Sequence, residues 1–161
     1  MLKNHDLMYC FEIDGTLVNN VPYNTKNPLT RNFKLLKSEC VFNPNDYDIR
    51  WTIVTNHPLI DYISIRWFCF RNSMIPSQII TSNIFGLSNR VEKYAEYKIN
   101  LFKNILDGKI AVKYTKNKVN KIINVCNDQS ENKLINSNRN GYEFISVNVI
   151  DFKREFFNKI F

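Results

Sequence analysis

An apolar run, Leu7-Met8-Tyr9-Cys10-Phe11, passes directly into Glu12-Ile13-Asp14-Gly15-Thr16-Leu17-Val18, and this junction constrains the fold more than any other stretch. A short apolar run closed by a glycine reads as a buried β-strand. Glu12 and Asp14 then fall at the strand's C-terminal end, the edge where open α/β sheets place their ligands. Two carboxylates at such an edge repel each other unless a cation, or a phosphate with its metal, lies between them. The junction therefore predicts a sheet edge suited to a metal and a phosphate.

The remaining segments supply the layers around that strand. Residues 1–161 are expected to form one domain, since 161 residues suffice for a sizeable core. Asn19 to Pro28 is polar and turn-rich, a loop or small flap over about 19–28, and no large cap domain is expected. Thr30 can cap a short helix with apolar positions Phe33, Leu36 and Cys40, closed by the turn residues Asn43-Pro44-Asn45-Asp46. Ile49 to Thr55 reads as a second strand, ending in Thr55-Asn56-His57-Pro58. Pro58 suits the first position of a helix whose apolar residues are Ile60, Ile63, Trp67 and Phe70. The rings of Trp67, Phe68 and Phe70 read as core with one exposed. Gln78 to Thr81 is a short third strand. Asn89 and Glu92 make a capping box before a helix with Val91, Ala95, Ile99, Phe102 and Leu106 on one face, and Gly108 ends it. A further helix is expected over about Lys109 to Val119. Lys121 to Cys126 and Tyr142 to Val147 are the last strands, and a terminal helix carries Phe152, Phe156 and Ile160. Strands alternating with helices predict a parallel sheet covered on both faces.

The net charge of +7 favours anionic partners. Much of it lies at Lys93, Lys98, Lys103, Lys109, Lys113, Lys116, Lys118 and Lys121, which read first as solvated helix faces. Within this set the run Lys109-Lys113-Lys116-Lys118 could guide a nucleic-acid phosphate toward the cleft, which keeps nucleic acid among the candidate partners. The richness in Lys, Asn and Ile suits an A/T-rich genome, such as that of a virus or phage. The four cysteines (Cys10, Cys40, Cys69, Cys126) lack metal-ligand spacing, and Cys10 and Cys126 read as small core residues of a reduced protein. No signal peptide or membrane-spanning run is visible. A soluble, cytoplasmic protein without a membrane partner is expected.

Three strand ends present polar groups: Glu12/Asp14, Thr55/Asn56 and Asn127/Asp128. A parallel sheet brings its strand ends to one edge, and these types suit phosphoryl transfer. In order and context they resemble the haloacid dehalogenase (HAD) superfamily of phosphatases. Glu12-Ile13-Asp14-Gly15-Thr16-Leu17 matches its first motif, Asp-x-Asp-Gly-Thr, except at the first acid. Ile53-Val54-Thr55-Asn56 matches the second motif, and Val125-Cys126-Asn127-Asp128, with Asn132, is a degraded fourth. The resemblance runs from about residue 7 to residue 148. It implies a three-layer α/β/α Rossmann-like fold with a central, mainly parallel five-stranded sheet.

By the same resemblance, Glu12 falls at the nucleophile and metal-ligand position. Asp14 is then the general acid/base, with its carbonyl on the metal. Thr55 binds the transferring phosphoryl group, Gly15, Thr16 and Asn56 line the phosphate, and Asp128 completes a Mg²⁺ site. The motif lysine is Lys109 or Lys113, two positions that the sequence leaves open. Glu12 is the departure. Its extra methylene carries the carboxylate roughly 1 Å further, where a 1 Å displacement can cost about a hundredfold in rate. Three readings follow: an adapted backbone with a Glu12 acyl-phosphate, a pseudo-phosphatase, or an engineered change. His57, directly after the second motif, reads as a substrate contact or as a helix-start residue near solvent.

The expected function is Mg²⁺-dependent hydrolysis of a phosphomonoester through a carboxyl-phosphate intermediate. Nucleotides, nucleic-acid ends and other macromolecular phosphates are the substrate classes that a capless site and a basic chain suggest. The alternative is a catalytically impaired relative that serves as a binding or interaction module. Oligomeric state is not legible.

Overall fold

The computed structural model of the protein describes residues 7–19, 27–82, 91–113 and 118–160, the last five of these by their backbone. Among the described residues five strands are present: β1 (Leu7–Phe11), β2 (Trp51–Pro58), β3 (Gln78–Ser82), β4 (Lys121–Val125) and β5 (Phe144–Val147). They form a parallel sheet in the order β3-β2-β1-β4-β5. The α-helices that flank it among the described residues are α1 (Pro28–Lys37), α2 (Tyr62–Arg71), α3 (Val91–Leu106), α4 (Gln129–Ser137) and α5 (Val149–Ile160). The plan is α/β, as the alternation of strands and helices predicts, and Rossmann-like, as the resemblance implies. Among the described residues no helix is long and apolar enough to cross a membrane. By its contacts the chain divides into two compact units, Phe11–Asn89 and Met1–Cys10 with Arg90–Phe161.

The unit Phe11–Asn89 is built on β2, whose Trp51 to His57 are all buried. The β-branched and aromatic residues Trp51, Thr52, Ile53 and Val54 suit a pleated surface buried on both faces. Phe11 packs its ring edge-on against Trp51 at 5.8 Å and stacks on Phe42 at 5.6 Å. β2 pairs with β3 from Thr52↔Gln78 through Val54↔Ile80, then resumes at Pro58↔Ser82 with its register shifted. Four steps along β2 thus face two along β3. Thr55, Asn56 and His57 stand opposite Thr81 alone, so the irregularity falls on the segment of interest, as bulges beside functional sites do.

Several local expectations are corrected in this unit. Asn27 rather than Thr30 caps α1, accepting from Leu29 N at 2.9 Å and Thr30 N at 3.3 Å. The buried residues of α1 are Arg31 and Leu35, whereas Phe33 is exposed. Pro58 ends β2 instead of opening a helix; a 3₁₀ turn, Leu59–Asp61, intervenes before α2. Ile60, Ile63, Trp67 and Phe70 all face solvent, and Ile65, Phe68 and Cys69 are the buried side. Two rings of the aromatic series are therefore exposed, not one. A helix apolar on both sides offers no periodicity to decide which face packs inward.

In the other unit, β4 and β5 pair in register from Ile122↔Phe144 to Val125↔Val147. Phe102 of α3 meets Phe144 at 5.7 Å, and Tyr9 meets Phe152 edge-on at 5.8 Å. Cys10 and Cys126 are buried and form no disulfide, as core residues should be. Burial raises the Cys10 thiol strongly, Lys98 opposing. The helix expected over about Lys109 to Val119 is corrected where it is described, since 109–113 are turn and coil after Gly108. Gly108 has φ +75°, the left-handed conformation that ends a helix at glycine. Residues 114–117, Asn89 of the capping box and most of the loop over about 19–28 lie outside the described residues.

Candidate functional site

The site forms within Phe11–Asn89, around the turn that follows β1. Ile13 O accepts from Thr16 N, Leu17 N and Val18 N at 3.2, 3.0 and 3.1 Å, which folds the chain back within five residues. Gly15 takes φ +69° to make that turn, a conformation costly for any residue with a Cβ. The turn leaves Glu12 and Asp14 both buried, at 2% and 8% exposure.

Glu12 is held by three donors. Its Oε1 accepts from Ile13 N at 2.8 Å and from Thr55 Oγ1 at 2.6 Å, and its Oε2 accepts from Asn56 N at 3.0 Å. Thr55 Oγ1 in turn accepts from His57 N at 3.1 Å, which leaves its hydroxyl proton for Glu12. The shifted register of β2 makes this possible. Asn56 and His57 turn their N–H groups onto Glu12 and Thr55, and they lie between the last two paired positions of the ladder, Val54 and Pro58.

Asp14 belongs to a second, charged chain. His57 Nε2 lies 2.8 Å from Asp14 Oδ1, and His57 Nδ1 lies 2.7 Å from Asp61 Oδ2. Arg31 closes the chain with a bidentate fork on Asp61, at 2.6 and 2.7 Å. His57 and Asp61 are fully buried and Arg31 nearly so. A neutral imidazole has one N–H and would turn a lone pair toward one of these carboxylates, so the geometry calls for the imidazolium. Burial works against that charge, but Asp14, Asp61 and Glu12 outweigh it and raise the His57 pKa to about 9. Burial likewise raises Asp61, yet His57 and Arg31 prevail and hold it below the usual carboxylate range.

Of the residues expected from sequence, Glu12, Asp14, Thr55 and Asn56 thus come together in one unit, with Gly15 shaping the turn. Thr55 and Asn56 lie inside β2, not beyond its end, and Asn56 contributes its backbone N–H. Thr16 is buried in the same turn. Lys109, Lys113 and Asp128 belong to the other unit. Lys109 and Lys113 are exposed, and Asp128 caps α4 by accepting from Glu131 N at 3.0 Å. Asn132 donates from Nδ2 to Cys126 O at 2.6 Å and accepts from Ser146 Oγ.

Asp61 and Arg31 are the residues that sequence reasoning missed, and His57 is the one whose partners it did not foresee. His57 stands neither near solvent nor at a helix start. Its one signal was Asp61 four residues later; Arg31, thirty residues earlier, had none. In the other unit the missed pair is Lys98 and Glu131, buried on α3 and α4 with Nζ and Oε1 2.8 Å apart.

As they are arranged, the two carboxylates of this unit are both engaged by protein partners. Three protein donors hold the Glu12 oxygens, and an imidazolium, itself a cation, stands against Asp14 Oδ1. Among the described residues no group of three His, Cys, Asp or Glu side chains is placed to hold a metal ion. What the arrangement offers chemically is a set of oriented, buried donors around an anion, the device that stabilises oxyanions elsewhere. Compared with protein-family models, curated proteins and solved structures, the chain gives no match.

Proposed function

We propose that this chain is a pseudo-phosphatase of the haloacid dehalogenase type, a phosphate-site protein whose attacking residue has been taken out of reaction. The observation that carries this reading is the hydrogen-bonding of Glu12. A nucleophile must point a free lone pair at phosphorus from about 3–3.5 Å. Glu12 instead directs its oxygens at Thr55, Asn56 and Ile13 and is 2% exposed. The function left to such a site is binding, with a phosphorylated ligand as partner. A net charge of +7 keeps nucleotides and nucleic-acid ends in that class. Four cysteines outside any disulfide support a reducing, cytoplasmic setting.

A second reading, Mg²⁺-dependent phosphomonoester hydrolysis through a Glu12 carboxyl-phosphate, is favoured by a different observation. Glu12, Asp14 and Thr55, the three types that such chemistry needs first, sit in one hydrogen-bonded neighbourhood. In that reading Glu12 attacks phosphorus, Asp14 moves the proton of the leaving oxygen, and Thr55 steadies the transferring group.

One assay separates the two. Phosphate release from aryl phosphates, nucleotides and 3′- or 5′-phosphorylated oligonucleotides is measured with and without Mg²⁺ for the native protein, Glu12→Asp and Asp14→Asn. The proposal expects no difference between native protein and Asp14→Asn, and a gain of about a hundredfold or more in Glu12→Asp, the scale of a 1 Å correction. Native turnover that needs Mg²⁺ and disappears in Asp14→Asn establishes the second reading instead.

A further inference from the structure

We infer that the outer face of α2 is a dimerisation surface, on which a second copy of this chain packs antiparallel across a two-fold axis. Ile60, Ile63, Trp67 and Phe70 follow one another at steps of three, four and three residues, the spacing that keeps one seam of a helix turned toward a partner helix. With Leu59 they stand 58–78% exposed. The other side of the helix has already found its packing. Ile65, Phe68 and Cys69 are buried, and Asp61 is held by His57 and Arg31. The outer stripe is therefore surplus to the fold of its own unit.

Its area is that of an interface. An aromatic side chain covers about 150–250 Å², and five large apolar residues this exposed present on the order of 600 Å² between them. The largest apolar patch of a monomer is about 300–600 Å², and one side of a standard interface is about 800 Å², its rim polar. Tyr62, Ser64, Arg66 and Arg71 border the stripe and supply that rim. Trp67 and Phe70 meet edge-on at 5.9 Å, so the two rings are ordered before any partner arrives, which lowers the cost of association.

Charge and shape select the partner. Arg66 lies over the Tyr62 ring at 6.0 Å and Arg71 donates to Leu36 O, so both bordering cations are turned onto their own chain. Asp61, the one acid between Leu59 and Arg71, is buried. The stripe is thus recognised by apolar shape, not by opposite charge. It is also self-complementary. Its first half is aliphatic (Leu59, Ile60, Ile63) and its second half aromatic (Trp67, Phe70). A two-fold axis across the helix lays the aliphatic half of each copy under the rings of the other, small against large, as an isologous interface requires. Two chains of net charge +7 repel at a distance, so salt strengthens this pairing, whereas it weakens the binding of nucleic acid.

The test is sedimentation velocity of the native chain, Trp67→Ser/Phe70→Ser and Phe33→Ser at low and high salt, with tryptophan emission read over the same concentrations. The chain has two tryptophans, and Trp51 is buried, so a blue shift on association reports Trp67. The native chain is expected to dimerise with a dissociation constant on the order of micromolar or below, more tightly in high salt, with its emission moving to the blue. Trp67→Ser/Phe70→Ser weakens the dimer by about thirtyfold or more, the scale of losing a central aromatic anchor. Phe33→Ser removes an exposed ring from α1 instead and leaves the dimer intact. A native chain that stays monomeric up to about 1 mM overturns the inference and leaves the stripe to a different protein. So does a dimer that survives Trp67→Ser/Phe70→Ser, that Phe33→Ser weakens equally or that high salt dissociates, and so does growth into open-ended oligomers. If a variant does not fold, the native chain alone decides: dimerisation without a shift in emission overturns the inference.

Discussion

Thr55 Oγ1 stands 2.6 Å from Glu12 Oε1, and because His57 N already donates to that hydroxyl, its proton points at the carboxylate. A charged acceptor and a buried donor at this distance make one of the stronger kinds of hydrogen bond.

Removing the hydroxyl should therefore be felt in stability before it is felt in any ligand assay. Thr55→Val keeps the shape and leaves both Glu12 Oε1 and His57 N short of a partner. The expected loss is about 2–3 kcal/mol, the range for hydrogen bonds to charged groups, read from urea unfolding. A loss below about 0.5 kcal/mol, the ordinary scatter of surface substitutions, contradicts the geometry.

His57 makes the cluster sensitive to pH, and the sign follows from its raised pKa. Its folded value is about 9 against 6.5 unperturbed. The imidazolium's contribution is complete below pH 6.5 and is lost as pH rises through about 9. A shift of this size corresponds to about 3 kcal/mol. Stability of the native protein minus that of His57→Gln should fall by this order between pH 6 and pH 10. A flat difference shows that the imidazole is neutral when folded.

Asp61 acts at the other end of the scale. Its pKa is lowered from 3.8, so its contribution is present above that value and is lost as pH falls below it. Acid unfolding midpoints of the native protein and Asp61→Asn should converge at low pH, and separation that persists there contradicts the assignment.

Arg31 and Asp61 form a buried pair at 3% and 0% exposure. Arg31→Met strands the carboxylate with His57 alone and should cost about 3–5 kcal/mol, as removing one partner of a buried ion pair does. Adding Asp61→Leu should recover part of the loss. Chemical denaturation of the two variants checks both steps, and equal stability of Arg31→Met and the native protein refutes the coupling.

Lys98 and Glu131 repeat this arrangement in the other unit, with Cys126 Sγ donating to Glu131 Oε2 at 3.4 Å. Lys98→Met should be destabilising by about 3–5 kcal/mol, while the exposed Lys109→Met stays within about 0.5 kcal/mol. The same unfolding measurement on both decides which lysine the fold depends on.

The strands were legible because their residues are legible locally. Leu7 to Phe11, Trp51 to Val54 and Lys121 to Val125 are short apolar or β-branched runs between turn residues, and buried parallel strands need little else. The turn at Gly15 was visible for the same reason. Helix α2 was not, because Ile60, Ile63, Trp67 and Phe70 form as good a stripe as Ile65, Phe68 and Cys69. Burial depends on what packs against a helix, which its own residues do not state.

The amino-acid sequence by itself determined that Glu12, Asp14 and Thr55 follow or lie in strands of an α/β fold, since strand propensity and turn chemistry act over a few residues. Only the tertiary structure decided what those side chains do to one another. The register shift in β2 turns the Asn56 and His57 N–H groups toward Glu12 and Thr55, and Arg31 reaches Asp61 from another helix. Hydrogen bonds and ion pairs fall away within a few ångströms, so their partners are settled by distance in space, which separation along the chain does not reveal.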